Sequence, residues 1–232
     1  MEQRPYPTCD KCGNRACYPI IGAEEKPPMD EAPPFCPMKL DADVIERALA
    51  EYDKEDVREF ARLASIQEFE CYEQTPYGLR TKIPRVEETI QFAQKNGYRR
   101  LGLAFCVGLA NEARTLVLIL ERKGFELVSV CCKTGAIPKE RIGLRPEEKI
   151  MGPHMYESMC NPIAQAELLN KEKVDLALLL GLCVGHDTLF IKYCRVPITV
   201  IGVKDRVFGH NPLAALYLST SYYSRLRART KE

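Results

Sequence analysis

Two segments set a thiol directly after an apolar run: FCVG, with Cys106, and GLCVGHD, residues 181–187, with Cys183 following VDLALLL. SVCCKTG adds Cys131 and Cys132, and Cys160 opens CNPIAQAELLN. Ligands of open parallel sheets bind in the crevice outside the carboxyl ends of the strands. If the apolar runs are strands of one sheet, Cys106, Cys132, Cys160 and Cys183 are expected along one edge. Several thiolates around one cation suit soft metals and iron–sulfur clusters, and three ligands in place of four would leave one position open to substrate. KDRVFGHNP puts Lys204, Asp205, Arg206 and His210 on the same rim, where His186 and Asp187 follow Cys183. His186, Lys204, Asp205, Arg206 and His210 are therefore candidates to orient ligands or carry protons. Each has a plainer use: Asp205 with Arg206 in a turn pair, His210 as a helix cap, His186 as a satisfied core residue. Free cysteine often serves as a small hydrophobe, which suits Cys194 and one of Cys131 and Cys132.

A second group precedes these. Cys9 and Cys12 have the two-residue gap that lets two thiolates grip one metal from a tight turn, Cys17 follows, and Cys36 precedes Pro37. Four thiolates suit tetrahedral zinc or a cubane cluster. The segment has little else to order it, being proline-rich through EEKPPMDEAPPFCPMK, too poor in apolar surface to fold unaided. Cys71, in FECYEQ, is open to either reading, as a helical core residue or a ligand.

These residues need elements to hold them. The chain has 232 residues, 46% of them apolar, enough for one sizeable α/β domain with an appendage. Residues 1–40 form the cysteine-rich arm. Residues 41–98 form a helical segment, from DADVIERALAEYD through DKEDVREFARLASIQEFECYEQ to PRVEETIQFAQKNG, with Pro84 near the last helix's start and Gly97 as its stop. Residues 99–232 alternate: strands at RLGLAFCV, FELVSVCCK, DLALLLGLCV and PITVIGVK, helices at NEARTLVLILERKG, NPIAQAELLNKEK and DTLFIKYC, and a closing helix at NPLAALYLSTSYYSRLRAR. Strands apolar on both faces and joined by helices imply a mainly parallel sheet of four or more strands in a three-layer α/β sandwich. Asn111, Asn161 and Asn211 stand where helix starts would aim N–H groups at the edge. The connection from about 134 to 159 is long enough to suggest function.

Composition narrows the classes. A net charge of +1, from 33 basic and 32 acidic residues, gives no footprint for nucleic acid or an anionic membrane. No apolar run of membrane-spanning length occurs, and MEQRPYPTCDKC lacks the apolar core of a signal peptide, which predicts a cytoplasmic protein. In that reducing compartment eleven cysteines are poorly explained as disulfides.

FCVGLANEA, SVCCKTG, CNPIAQAELLN, GLCVGHDTLF and KDRVFGHNPLAALY, with CDKCGNRAC, resemble a family of cysteine-rich bacterial and archaeal proteins catalogued as a domain of unknown function and described as predicted metal-binding. The resemblance spans nearly the whole chain and implies metal binding with no settled activity. The expected function is an iron–sulfur protein with one or two 4Fe-4S clusters, redox or sulfur-transfer chemistry at an open cluster, and a redox partner or small-molecule substrate. The alternative is a zinc-stabilised structural or metal-handling protein without turnover. A nucleotide-binding domain ranks below both, since CVGLANEA lacks the glycine triplet and no P-loop occurs, and no G-x-S-x-G elbow supports a hydrolase.

Overall fold

Period-two burial explains the sheet. In Arg100–Phe105 (β3), Leu101 and Leu103 enter one core while Ala104 enters another; in Leu176–Leu180 (β5), Leu176, Leu178 and Leu180 alternate in the same way with Ala177 and Leu179. Each strand thus feeds two cores, which demands helices on both faces. The computed structural model describes residues 6–13, 16–18 and 29–229. The described residues divide into two compact units, up to Ile66 and from Gln67 onward.

The first unit carries Pro37–Leu40 (α1), Ala42–Glu51 (α2) and most of Glu55–Glu70 (α3). Its small apolar cluster is Ala16, Ala32 and Cys36, with Met29 and Met38 against it.

The second unit begins with the end of α3 and an antiparallel hairpin, Tyr72–Thr75 (β1) and Gly78–Thr81 (β2). Sequence periodicity gives no sign of this hairpin within the helical segment, because its strands are too short and polar to show an apolar face. Gly78, at φ +106, supplies the left-handed turn. Arg85–Lys95 (α4), β3, Ala110–Arg122 (α5), Glu126–Cys131 (β4), Pro162–Lys171 (α6), β5, His186–Tyr193 (α7), Ile198–Gly202 (β6) and Leu213–Tyr217 (α8) follow. The four strands β3 to β6 form a parallel sheet in the order β4-β3-β5-β6. Ile90 and Ala93 of α4 and Leu116 and Leu120 of α5 fill one core; Ala166 and Leu169 of α6 and Phe190 of α7 fill the other. This is the expected three-layer α/β arrangement. Gly102 lets α6 approach closely, for a Cβ there would stand 2.8 Å from Leu169 Cδ1.

Two expected elements differ in detail. The closing helix is short: α8 ends at Tyr217, and turns through Ser219-Thr220-Ser221 lead to a 3-10 turn at Ser224–Arg227. Ser and Thr compete with helix by bonding nearby backbone, as Ser221 Oγ does with the Leu218 carbonyl at 3.3 Å. The connection 134–159 is ordered: Lys139 N–H donates to the Glu157 carbonyl at 3.0 Å, Met159 N–H to that of Ile137 at 2.8 Å, and Lys139 pairs with Glu157 at 2.6 Å. It therefore returns the chain to the edge it left.

Beneath that edge lies Gln165, fully buried. Its Nε2 donates to the Val130 carbonyl at 2.7 Å and the Phe105 carbonyl at 3.1 Å, joining the ends of β3 and β4 to α6. Gln165→Leu should cost about 1–3 kcal/mol, read as a lower urea midpoint at unchanged m-value. An unchanged midpoint would mean that these carbonyls do not need it.

Candidate thiol site

Parallel register sets the site. Phe105 pairs with Cys131 on one side and Leu180 on the other, so the residues after them leave the sheet together. Cys106 N–H donates to the Leu180 carbonyl at 3.0 Å, and Cys132 N–H to the Phe105 carbonyl at 2.9 Å. The Cys132 carbonyl accepts from Asn161 N–H at 2.7 Å, which brings the residue after Cys160 to the same point. Asn161 Oδ1 caps α6 by accepting from Ala164 N–H at 3.1 Å, and Pro162 presets the first turn.

Three thiols meet there. Cys132 is 1% exposed and lies between Cys106 and Cys160, both half-buried. The Cys132 and Cys160 sulfurs are 3.9 Å apart. Val107 N–H donates to the Cys132 sulfur at 3.3 Å, and Gly108 N–H to Cys106. These donors come from the 3-10 turn Val107–Leu109, not from the helix starts at Asn111 or Asn211.

A hydrogen bond from Cys132 draws the Cys106 and Cys160 thiols each down from 9.0 to about 5, against burial; Gly108 N–H and Lys204 assist at Cys106, Lys133 and His186 at Cys160. Those same bonds, to Cys106 first and then Cys160, and then burial, push Cys132 far upward. One S–H hydrogen serves one neighbour at a time, so the group ionises in steps. One outer thiol ionises readily and the second only at higher pH.

The remaining candidates fall into two sets. Arg206 Nη2 donates to the Cys183 sulfur at 3.1 Å, Lys204 lies beside Cys106, and His186 faces Cys160 with its buried Nδ1 lacking a hydrogen-bond partner. Asp205 and His210 shape the loop. Asp205 Oδ1 accepts from Val207 and Phe208 N–H, both at 2.9 Å, and His210 Nδ1 lies 3.1 Å from the Val203 carbonyl and 3.3 Å from Asp205 N–H. Sequence reasoning does not single out Lys133. It follows Cys132 at a strand end, the same signal that marked Lys204, and its Nζ donates to the Ser158 carbonyl at 2.6 Å while facing Cys160.

Other cysteines stand elsewhere. Cys9 and Cys12 bound a 3-10 turn, with Cys12 N–H on the Cys9 carbonyl at 3.1 Å; Cys17 is exposed, and Cys36 is buried with Ala16 and Ala32. Cys71 bonds the Gln67 carbonyl at 3.2 Å, and burial raises both its thiol and that of Cys194. Cys131 packs beside the α6/α7 core. Among the described residues no disulfide joins any two cysteines. Among the described residues, no group of three or more His, Cys, Asp or Glu side chains is disposed to hold one metal ion as it stands.

Residues 36–201 match the family described as Protein of unknown function (DUF1847). The chain belongs to this family. The matched residues include Cys106, Cys132, Cys160 and Cys183 but not Cys9, Cys12 or Cys17. An uncharacterized protein of the archaeon Methanocaldococcus jannaschii is 38% identical over 215 residues, covering 93% of this chain and 95% of that protein. No solved structure matches. Among the described residues, no helix is long and apolar enough to cross a membrane.

Thiolate is the reactive form toward alkylating agents. As pH rises, labelling of Cys106 or Cys160 by iodoacetamide should therefore turn on near pH 5–6, while Cys194 and Cys71 stay protonated to above pH 9. Peptide mass mapping across pH checks this, and equal profiles for all four would contradict the thiol arrangement.

Proposed function

We propose that the carboxyl edge of the sheet is a thiolate site for a soft metal centre, with a 4Fe-4S cluster as its occupant. Cys106, Cys132 and Cys160 are the proposed ligands, with Cys183 either the fourth or the neighbour of an open position. The supporting observation is the meeting of three thiols from separate chain segments around buried Cys132. The donor set is soft, N–H groups of Val107 and Gly108 are aimed at sulfur, and Lys204, Lys133 and Arg206 offset thiolate charge. Cys183 would have to leave Arg206 to take part. A cluster would supply one-electron transfer, or an iron able to hold a substrate sulfur. Lys204, Arg206 and His186 would then orient an anionic partner. Asp205 and His210 would act through the loop they shape.

A single zinc ion is the second reading, favoured by one distance. Two thiolates on a tetrahedral ion at about 2.3 Å stand about 3.8 Å apart, close to the 3.9 Å between Cys132 and Cys160. Cys9, Cys12, Cys17 and Cys36 are proposed as a separate centre, a structural staple or electron relay.

Protein prepared without oxygen should be brown, hold iron and acid-labile sulfide, and bleach on reduction. Cys132→Ala should lose the share of metal held at the sheet edge while its circular dichroism stays that of the wild type. Colourless protein with stoichiometric zinc selects the second reading, and wild-type protein free of both metals refutes the proposal.

A further inference from the structure

We propose that Cys160 and Cys132 are an attacking and a resolving thiol for a small anionic sulfane-sulfur compound. This activity goes beyond the metal reading and belongs to the same thiols when they are free.

The pair is arranged for consecutive attack. Their sulfurs are 3.9 Å apart and must close to about 2.05 Å to bond. The Asn161 N–H bond to the Cys132 carbonyl holds the two backbones together, so the closure falls to side-chain motion. Their exposures differ: Cys160 is half-buried, whereas Cys132 is 1% exposed, so an electrophile in solution meets Cys160 first and Cys132 follows from behind. Lys133 and His186 face Cys160, and Lys204 lies beside the neighbouring Cys106. These basic side chains draw an anion toward the thiols. The carboxyl edge of a parallel sheet is also where a small ligand finds space.

With thiosulfate the chemistry closes. The Cys160 thiolate attacks the outer sulfur; a sulfur–sulfur bond forms to Cys160, the bond to the sulfonate sulfur breaks, and sulfite leaves with its electron pair. Cys132, giving up its proton, then attacks the Cys160 sulfur. The bond to the transferred sulfur breaks, and hydrosulfide leaves with that pair. Two thiols become one disulfide, the transferred sulfur is reduced to sulfide, and the two thiol protons end on sulfide and sulfite. No other reactant is needed for one turnover.

The test uses the full chain, reduced, freed of metal by a chelator and mixed with thiosulfate. Wild type should release about one sulfide per chain and lose about 2 Da, with Cys132 and Cys160 joined in one peptide pair. Cys132→Ser should stop at a persulfide, gaining about 32 Da on Cys160 without sulfide release. Cys160→Ser should do neither, and Cys194→Ser should match wild type. Sulfide release by Cys160→Ser at the wild-type level overturns the proposal. So does a wild-type mass unchanged by thiosulfate, including the case in which hydrogen peroxide alone oxidises the pair. Metal content measured before chelation judges the metal reading separately.

Discussion

One constraint organises the carboxyl edge: the backbone of Cys132 is stitched on two sides. Its N–H is held by β3 through Phe105, and its carbonyl by the segment entering α6 through Asn161. Neither bond involves a side chain, yet together they fix where three thiols can be. Cys106 follows Phe105 and Cys160 precedes Asn161, so satisfying two backbone groups brings both neighbours to the Cys132 sulfur. Gln165 supports the same place from below, through the carbonyls at the ends of β3 and β4. Removing a buried donor strands its acceptors, so stability and site geometry are coupled here.

Electrostatics then divide the thiols into roles. The bonds to Cys106 and Cys160, and then burial, keep the proton on Cys132, and that proton favours charge on an outer thiol. Lys204 and Lys133 stand on opposite sides, one beside Cys106 and one beside Cys160, so either outer sulfur can carry negative charge without leaving it unpaired. Arg206 donates a hydrogen bond to the Cys183 sulfur past the end of β5. A site of free thiols with matched cations suits two uses, ligation of a soft cation and attack on an electrophilic sulfur. Both need the same deprotonated sulfur, so they compete for it.

The long connection after Lys133 contributes by being ordered. A free loop of this length would deliver Cys160 to the edge at an entropic cost. Lys139 with Glu157, and the bonds joining Ile137 to Met159, zip its two limbs together. The chain returns within reach of Lys133, whose Nζ reaches the Ser158 carbonyl. Tyr156 adds a bond to the Ala136 carbonyl across the same base.

The sequence by itself determined the sheet and the edge. Apolar runs of strand length alternating with amphipathic stretches leave little choice but a parallel sheet covered on both faces, and a thiol at the end of such a run must stand at the carboxyl edge. That reasoning reached Cys106, Cys132 and Cys160, and also Lys204, Arg206 and His186. It did not reach Lys133, which stands at a strand end like the others, nor the β1–β2 hairpin, whose strands are too short and polar to show a face. Only the tertiary structure decided which edge residues touch. Cys132 sits between two thiols while the Cys183 sulfur turns to Arg206, and Asp205 and His210 serve their own loop. Strand position fixes the edge a residue occupies, but contact between side chains depends on register, on χ1 and on where a long connection returns, none of which a local pattern records.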